Sequence, residues 1–174
     1  MKKISLVLII GLVGSSLFAQ SNAVSKHFAQ YQRDTSFTKV SVTSRMFSLF
    51  ADIDAEDEDQ AELLEAMSKL KGIKGLVNEE SSDSKSLYFD AVETIAEDGA
   101  YEELMTVEDA TENVQFMIRE EGDVIRELLM ILGGNQQFVV MSLYGEIDLN
   151  SIVKLSKVFG VKGFEQFGKL GQEK

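Results

Sequence analysis

Four β-prone segments follow one another in the second half of the chain, and only short connections separate them. They are Tyr101–Glu108, Asn113–Glu120, Val124–Leu132 and Gln137–Tyr144. Parallel neighbours would need a long crossover connection, so short connections predict an antiparallel meander. The pair Gly134-Asn135 predicts a two-residue hairpin turn between the last two strands.

The third segment, Val124–Leu132, has a second interpretation. Its apolar residues also fit a helix, because a short continuous apolar run does not distinguish the two structures by periodicity. We predict a strand, since a Gly-Gly-Asn turn and the strongly β-prone run Phe138–Val140 follow it directly.

Two of the four segments lack the alternation expected of a half-buried strand. Asn113–Glu120 alternates cleanly, whereas Leu128–Leu132 and Phe138–Met141 are continuously apolar. An antiparallel sheet with one wet face should alternate throughout. We therefore expect both faces of these two strands to be covered, by other parts of the chain, by a second copy, by a partner or by a ligand. The candidate ligand or partner face consists of Met130, Leu132, Val139 and Met141.

The first half of the chain alternates amphipathic helices with two shorter strands. Helical spacing of apolar residues predicts a helix over Ala23–Arg33, one capped by Ser44, one over Gln60–Leu70 ended by Gly72, and one capped by Ser81, Asp83 or Ser84 and ended by Gly99. Strands are predicted over Phe37–Thr43 and Ile73–Asn78. A further helix is expected from Asp148 to Gly160.

Together these elements predict an α+β fold, a two-layer sandwich. An antiparallel sheet, made of the C-terminal four-strand meander plus one or two N-terminal strands, packs against three to four amphipathic helices. Residues 20–160 form the single domain, and residues 161–174 form a tail that contains glycine and phenylalanine.

The first 19 residues have the pattern of a secretory signal peptide. Lys2 and Lys3 precede a short apolar run, and small residues lead to Leu17-Phe18-Ala19. Cleavage after Ala19 is expected, with cleavage after Ala23 or an uncleaved N-terminal anchor as alternatives. The signal predicts export to the periplasm or the medium. The chain contains no cysteine, so it has neither disulfides nor the thiol on which bacterial lipoproteins are acylated, and we expect no stable membrane anchor.

The charge of the chain restricts its partners. Seventeen Lys and Arg stand against 29 Asp and Glu, a formal net charge of −12. Removing the signal would remove two lysines and no acids, so the mature chain would carry 15 − 29 = −14. Such a balance predicts that the protein does not bind nucleic acid or anionic lipid head groups, since both rely on clustered Lys and Arg.

Metal and catalytic motifs are weak, and no cofactor is predicted. The acidic segment 52–59 places acids at the first ligand positions of a calcium loop, but Asp57 stands where the loop needs glycine and Leu63 where it needs glutamate. We interpret the segment as a solvated acidic stretch beside a helix, with a weak calcium site of another type as the alternative. His27 is the only histidine, and we expect it at the surface or half buried.

Nearly the whole mature chain resembles a bacterial family of exported proteins called domain of unknown function 4252, many of which are lipoproteins. The resemblance rests on loose motifs: Ser44-Arg-Met-Phe-Ser-Leu-Phe, Tyr101-Glu-Glu-Leu-Met, Val114-Gln-Phe-Met-Ile-Arg, Gly122-Asp-Val-Ile-Arg-Glu-Leu-Leu-Met, and Val140-Met-Ser-Leu-Tyr-Gly-Glu-Ile-Asp-Leu. It implies location and domain identity but supplies no activity. The chain differs from the lipoprotein members of this family because it lacks their lipobox cysteine.

Three function classes remain. The first is a non-enzymatic envelope interaction or regulatory module, which binds a protein partner or itself through an apolar sheet face or an exposed edge. The second is a small-ligand or lipid-binding protein with a cavity between sheet and helices. An enclosed apolar pocket would favour the second class, and a flat exposed patch the first. A hydrolase ranks last, because histidine is single and cysteine absent.

Overall fold

The computed structural model describes residues 23–49 and 53–147, and every structural statement below concerns those residues. Four helices and six strands are formed within these two ranges. The helices are α1 Ala23–Gln30, α2 Ser44–Ser48, α3 Glu58–Ser68 and α4 Ser84–Ala96. The strands are β1 Thr38–Thr43, β2 Leu70–Asn78, β3 Glu102–Glu108, β4 Asn113–Glu121, β5 Val124–Gly133 and β6 Phe138–Ile147. The predicted signal peptide, the helix after Asp148 and the tail 161–174 lie outside the described residues.

The six strands form one antiparallel sheet in the order β1-β2-β6-β5-β4-β3. Strands β3 to β6 are the predicted meander, and β5 is a strand rather than a helix. The two N-terminal strands join the sheet through β2, which pairs with β6. The predicted α+β class, an antiparallel sheet packed against amphipathic helices, is therefore confirmed.

Helices lie against both faces of the sheet, so the fold has three layers instead of the two expected from the sequence. Alternate residues of β5 divide between two buried clusters: Leu128, Met130 and Leu132 join one, and Leu129 and Ile131 join the other. We call the first the α2/α3 core, because it contains residues of those helices, and the second the α1/α4 core. The continuously apolar runs are thus buried on both faces, as predicted.

Two turn predictions differ from the structure. The two-residue turn lies at Gly122-Asp123, between β4 and β5, where Gly122 has a φ of 65°. The predicted two-residue turn at Gly134-Asn135 is wrong, because residues 134–137 all lie between β5 and β6. That loop is closed by a 2.7 Å hydrogen bond from the Gly134 amide to the Gln137 carbonyl. The connection between β5 and β6 therefore has four residues instead of two.

The predicted ends of two helices are also wrong. Helix α3 stops at Ser68, and Gly72 lies inside β2 instead of ending the helix. The Tyr144 side chain packs directly over Gly72, and any Cβ there would overlap it. Ser44 is the first helical residue of α2, not its cap; Thr43 occupies that position without a side-chain cap bond.

Candidate ligand-binding site

An apolar pocket of about 620 Å³ lies between the edge strand β1, the start of β2 and the helices α2 and α3. Its apolar lining residues are Val42, Met46, Phe47, Ile53, Leu63, Leu64, Met67 and Ile73. Ser41, Thr43 and Gln60 supply the polar part of the lining. Small-molecule sites are typically cavities of about 300–1,000 Å³ with mostly hydrophobic walls, and this pocket fits that description in both size and chemistry.

Local sequence explains how the wall of helix α3 is formed. The Asp57 carboxylate accepts a 2.8 Å hydrogen bond from the backbone amide of Gln60, which fixes the start of the helix. Leu63 and Met67 are four residues apart and therefore lie on one helix face. That face carries the pocket wall, while Met67 also reaches the α2/α3 core.

The floor and mouth of the pocket differ in exposure. Phe47, at 2% exposure, is part of the buried core, whereas Met46 and Ile53 are 49% and 48% exposed. Leu49, next to this mouth in sequence, is 53% exposed. Exposing several large apolar side chains to water is energetically unfavourable. A group of such exposed side chains therefore marks a binding surface.

A second hollow, polar in character, lies on the other side of helix α2. It has a volume of about 600 Å³ and lies between α2, the end of α3 and the start of β2. The residues that line it are Ser44, Arg45, Ser48, Ser68, Lys69, Leu70, Lys71 and Glu146. Residues adjacent in sequence, such as Phe47 and Ser48, thus line opposite hollows, and α2 is the wall between them.

The face predicted for a ligand or partner is inside the protein. Met130, Leu132 and Val139 are buried in the α2/α3 core, and Met141 is half buried against it. None of these four residues is among those that line the apolar pocket. The structure brings them together on one sheet face, and their proposed role in binding stays a prediction.

His27 is buried, so the expectation of a surface or half-buried position is wrong. It is 1% exposed and lies 5.2 Å from the Tyr31 ring and 6.4 Å from the Phe138 ring, measured between centroids. Within the described residues neither ring nitrogen has a hydrogen-bond partner. Burial lowers the pKa of His27, and the negative charge of Asp90 partly opposes that change. His27 is buried because α1 packs against α4.

A buried carboxylate in β5 is the polar feature that sequence reasoning missed. Glu127 is 0% exposed; Tyr101 and Arg119 contact its Oε2 at 2.9 Å and 3.3 Å, and the Ser142 hydroxyl donates to Oε1 at 2.5 Å. Burial, followed by the charge of Glu127, strongly raises the pKa of Tyr101. An acid inside the run VIRELLMIL, paired in register with Arg119 of β4, was the available signal.

This cluster does not have the geometry of an active site. Its carboxylate is sealed from solvent, and a general acid or base must reach the proton it transfers. Burial alone would lower the pKa of Arg119, but the nearby Glu127 carboxylate raises it, and the net change is upward. The side chains instead hold neighbouring strands in register.

Among the described residues, no group of three or more His, Cys, Asp or Glu side chains is arranged to hold a metal ion. No helix in residues 23–49 and 53–147 has the length and apolar character needed to cross a membrane.

Fold and site together define a six-stranded antiparallel α+β domain with an apolar pocket at one edge of its sheet. The chain belongs to the family described as domain of unknown function (DUF4252), whose model matches residues 31–155. The match covers β1 to β6, and therefore every element around the pocket. Comparison with curated proteins gave no significant match, and neither did comparison with solved structures.

Proposed function

We propose that this chain is an exported, non-enzymatic binding domain that holds an aliphatic ligand in the pocket between β1, α2 and α3. The observation that carries the proposal is the pocket itself, whose volume of about 620 Å³ and mostly aliphatic walls suit a hydrocarbon chain. Transfer of each CH₂ group from water into such walls contributes about 0.8 kcal/mol.

The chemistry of the lining supports binding without catalysis. The described lining residues include no acid, base or thiol, and their polar groups are the hydroxyls of Ser41 and Thr43 and the amide of Gln60. Nucleophilic catalysis would need a base within hydrogen-bond reach of such a hydroxyl. The pocket can therefore orient a ligand, but it offers no group for proton transfer.

The proposed location rests on the signal pattern of residues 1–19, and the periplasm or the medium would be the site of action. The formal charge of −12 makes nucleic acid an unsuitable partner. Fractionation of cells that produce the tagged chain tests this part: retention of the full-length chain in the cytoplasm would overturn it.

The chain's lack of tryptophan allows a direct test of the pocket. In the variant Met46→Trp the only indole stands at the pocket mouth, and in Phe89→Trp it stands on the outer face of α4, where Phe89 is 57% exposed. Titration with dodecanol should shift the emission of the first variant and leave the second unchanged. The further substitution Leu64→Glu, inside the pocket, should abolish the shift. No response in Met46→Trp, or an equal response in both variants, would overturn the proposal.

A second candidate function is protein binding by strand addition at β1. This strand is an edge of the sheet, its residues are exposed or half buried, and Lys39 is its only charge. The opposite edge, β3, is protected by Glu102, Glu103 and Glu108, since charged side chains discourage edge pairing. A partner or a second copy could therefore extend the sheet at β1.

Strand addition is tested by placing a photo-crosslinking amino acid at Val40 in β1 and, as a matched control, at Thr106 in β3. Both are exposed edge positions. A crosslinked product in the cell envelope at Val40 alone supports edge pairing, and its mass distinguishes a partner from self-association. Equal yields at the two positions, or none at either, would contradict this function.

A further inference from the structure

Helix α2 separates two chemically different hollows. Met46 and Phe47 face the apolar pocket, while Ser44, Arg45 and Ser48 face the polar hollow. The helix is a single turn of five residues, so the two hollows are separated by the width of one helix. A ligand with a hydrocarbon part and a polar end would find an apolar environment on one side of α2 and a polar environment on the other.

The polar hollow carries positive charge that the rest of the described structure does not neutralise. Lys69 is paired with Glu65 at 2.7 Å, and the acid in the lining, Glu146, is paired with Arg126 at 3.0 Å. The side chains of Arg45 and Lys71 form no ion pair with any described residue. Two cations that have no ion-pair partner among the described residues thus line one hollow, in a chain whose formal net charge is −12.

The serine hydroxyl groups in the hollow differ in whether they already donate a hydrogen bond within the described chain. The Ser48 hydroxyl donates to the Arg45 carbonyl at 2.8 Å, and the Ser68 hydroxyl donates to the Glu65 carbonyl at 2.7 Å. Ser44 makes no such bond to the described chain. Arg45, Lys71 and Ser44 therefore offer two charged donors and one neutral donor, a set that suits carboxylate, sulfate or phosphate oxygens.

We infer that the ligand is a single aliphatic chain with an anionic head group, its tail in the apolar pocket and its head group across α2 beside Arg45 and Lys71. The inference rests on the proposed function. Arg45 and Lys71 make the charge at this hollow locally positive, although the protein as a whole is acidic. The argument from net charge against anionic head groups therefore does not hold at this hollow. One pocket of about 620 Å³ holds the tail, so the occupant is a monomeric amphiphile, not a bilayer.

The test uses the Met46→Trp reporter with three twelve-carbon amphiphiles below their micelle concentrations: dodecanoate, dodecanol and dodecyltrimethylammonium. Dodecanoate should bind tightest and the ammonium weakest. The double substitution Arg45→Gln, Lys71→Gln should weaken dodecanoate binding about tenfold and leave dodecanol binding unchanged, because two charge-assisted contacts are lost. Both residues are exposed, so the fold should tolerate the change.

The matched control is Arg33→Gln, Lys85→Gln, which removes the same charges at exposed positions outside the hollow. It should leave dodecanoate binding unchanged. Equal affinity for dodecanoate and dodecanol, unaffected by the Arg45 and Lys71 substitutions, would overturn the head-group inference and leave the pocket proposal standing. No binding of any amphiphile would overturn both. Co-sedimentation with anionic phospholipid vesicles that depends on Arg45 and Lys71 would overturn the monomeric occupant.

Discussion

The hydroxyl of Tyr101 donates a 2.9 Å hydrogen bond to Oε2 of Glu127, across a sequence separation of 26 residues. Tyr101 immediately precedes β3, and Glu127 lies in β5, so the bond crosses β4. Arg119 of β4 and Ser142 of β6 contact the same carboxylate. One buried carboxylate thereby connects all four strands of the meander. The stability of the protein depends on every partner of this carboxylate, because an unpaired buried charge is costly.

Removing the cation of this cluster should destabilise the protein severely. We expect Arg119→Met to lower the free energy of unfolding by about 3–5 kcal/mol, the usual cost of leaving a buried charge without its partner. Urea unfolding followed by circular dichroism measures the change. Arg126→Met is the control, since its partners Glu121 and Glu146 are about half exposed and pairs at the surface contribute about 0–1 kcal/mol. Equal losses in the two variants would show that burial of the Glu127 carboxylate is not the cause.

His27 should make the protein less stable in mild acid. Its pKa in the folded state is lowered from 6.5 by burial, so the unfolded chain takes up a proton at a higher pH than the folded chain does. The stabilising contribution of the neutral ring is complete above about pH 6.5 and is lost as the pH falls below that value. Urea unfolding at pH 7.5 and pH 5.5 measures the loss.

The substitution His27→Phe isolates this effect from the titration of carboxylates. It keeps an aromatic ring beside Tyr31 and Phe138 and removes the group that titrates; Asp90, the charged neighbour on α4, is unchanged. The variant should lose less stability than the natural chain between the two pH values. The same loss in both would assign the pH dependence to other groups.

Helix α4 depends on a close approach to Gly133. A Cβ on Gly133 would lie 2.5 Å from the Tyr88 Cβ and 3.1 Å from the Ser84 carbonyl oxygen. Gly133→Ala should therefore displace the helix and lower the free energy of unfolding by about 1–3 kcal/mol. Gly134→Ala is the matched control, because a Cβ there meets no atom closer than 3.3 Å. A larger loss in the control would contradict this explanation.

Ligand binding should raise thermal stability through the pocket alone. At a free ligand concentration a hundred times Kd, binding to the folded state stabilises by about 2.7 kcal/mol. Dodecanoate should raise the melting temperature of the natural chain but not of Leu64→Glu, whose introduced carboxylate occupies the apolar wall. Calorimetry with and without the ligand measures the difference. A rise in both would place the ligand elsewhere.

Local patterns predicted the elements of the sheet, but not its long-range pairing. Short connections specified β3 to β6 as a meander, and the turn after Leu132 correctly favoured a strand over a helix. The pairing of β2 with β6 joins segments far apart in sequence, and nothing in either segment specifies it. The sequence pattern predicts Gly72 at the end of a helix, whereas it lies in β2 with the Tyr144 side chain directly against it, a distant contact that the local sequence does not show.

The site was less predictable, because its walls come from separate elements. The continuous apolar runs correctly predicted burial on both sheet faces, and they drew attention to Met130 and Met141. The pocket instead combines Val42, Leu64 and Ile73, which belong to β1, α3 and β2 and show no common pattern in the sequence. Burial of His27 followed from the docking of α1 on α4, a contact that local periodicity does not report.

The position of β6 determines when the sheet can be completed. It is the last strand of the described residues, yet it lies between β2 and β5 and bonds to both. As the chain leaves the ribosome, β1 can pair with β2 and β3 with β4 and β5, but these two pieces have no shared strand until residue 147 has emerged. Loop closure across such distances slows folding. The polypeptide therefore cannot complete its six-stranded sheet until the whole of β6 has been synthesised.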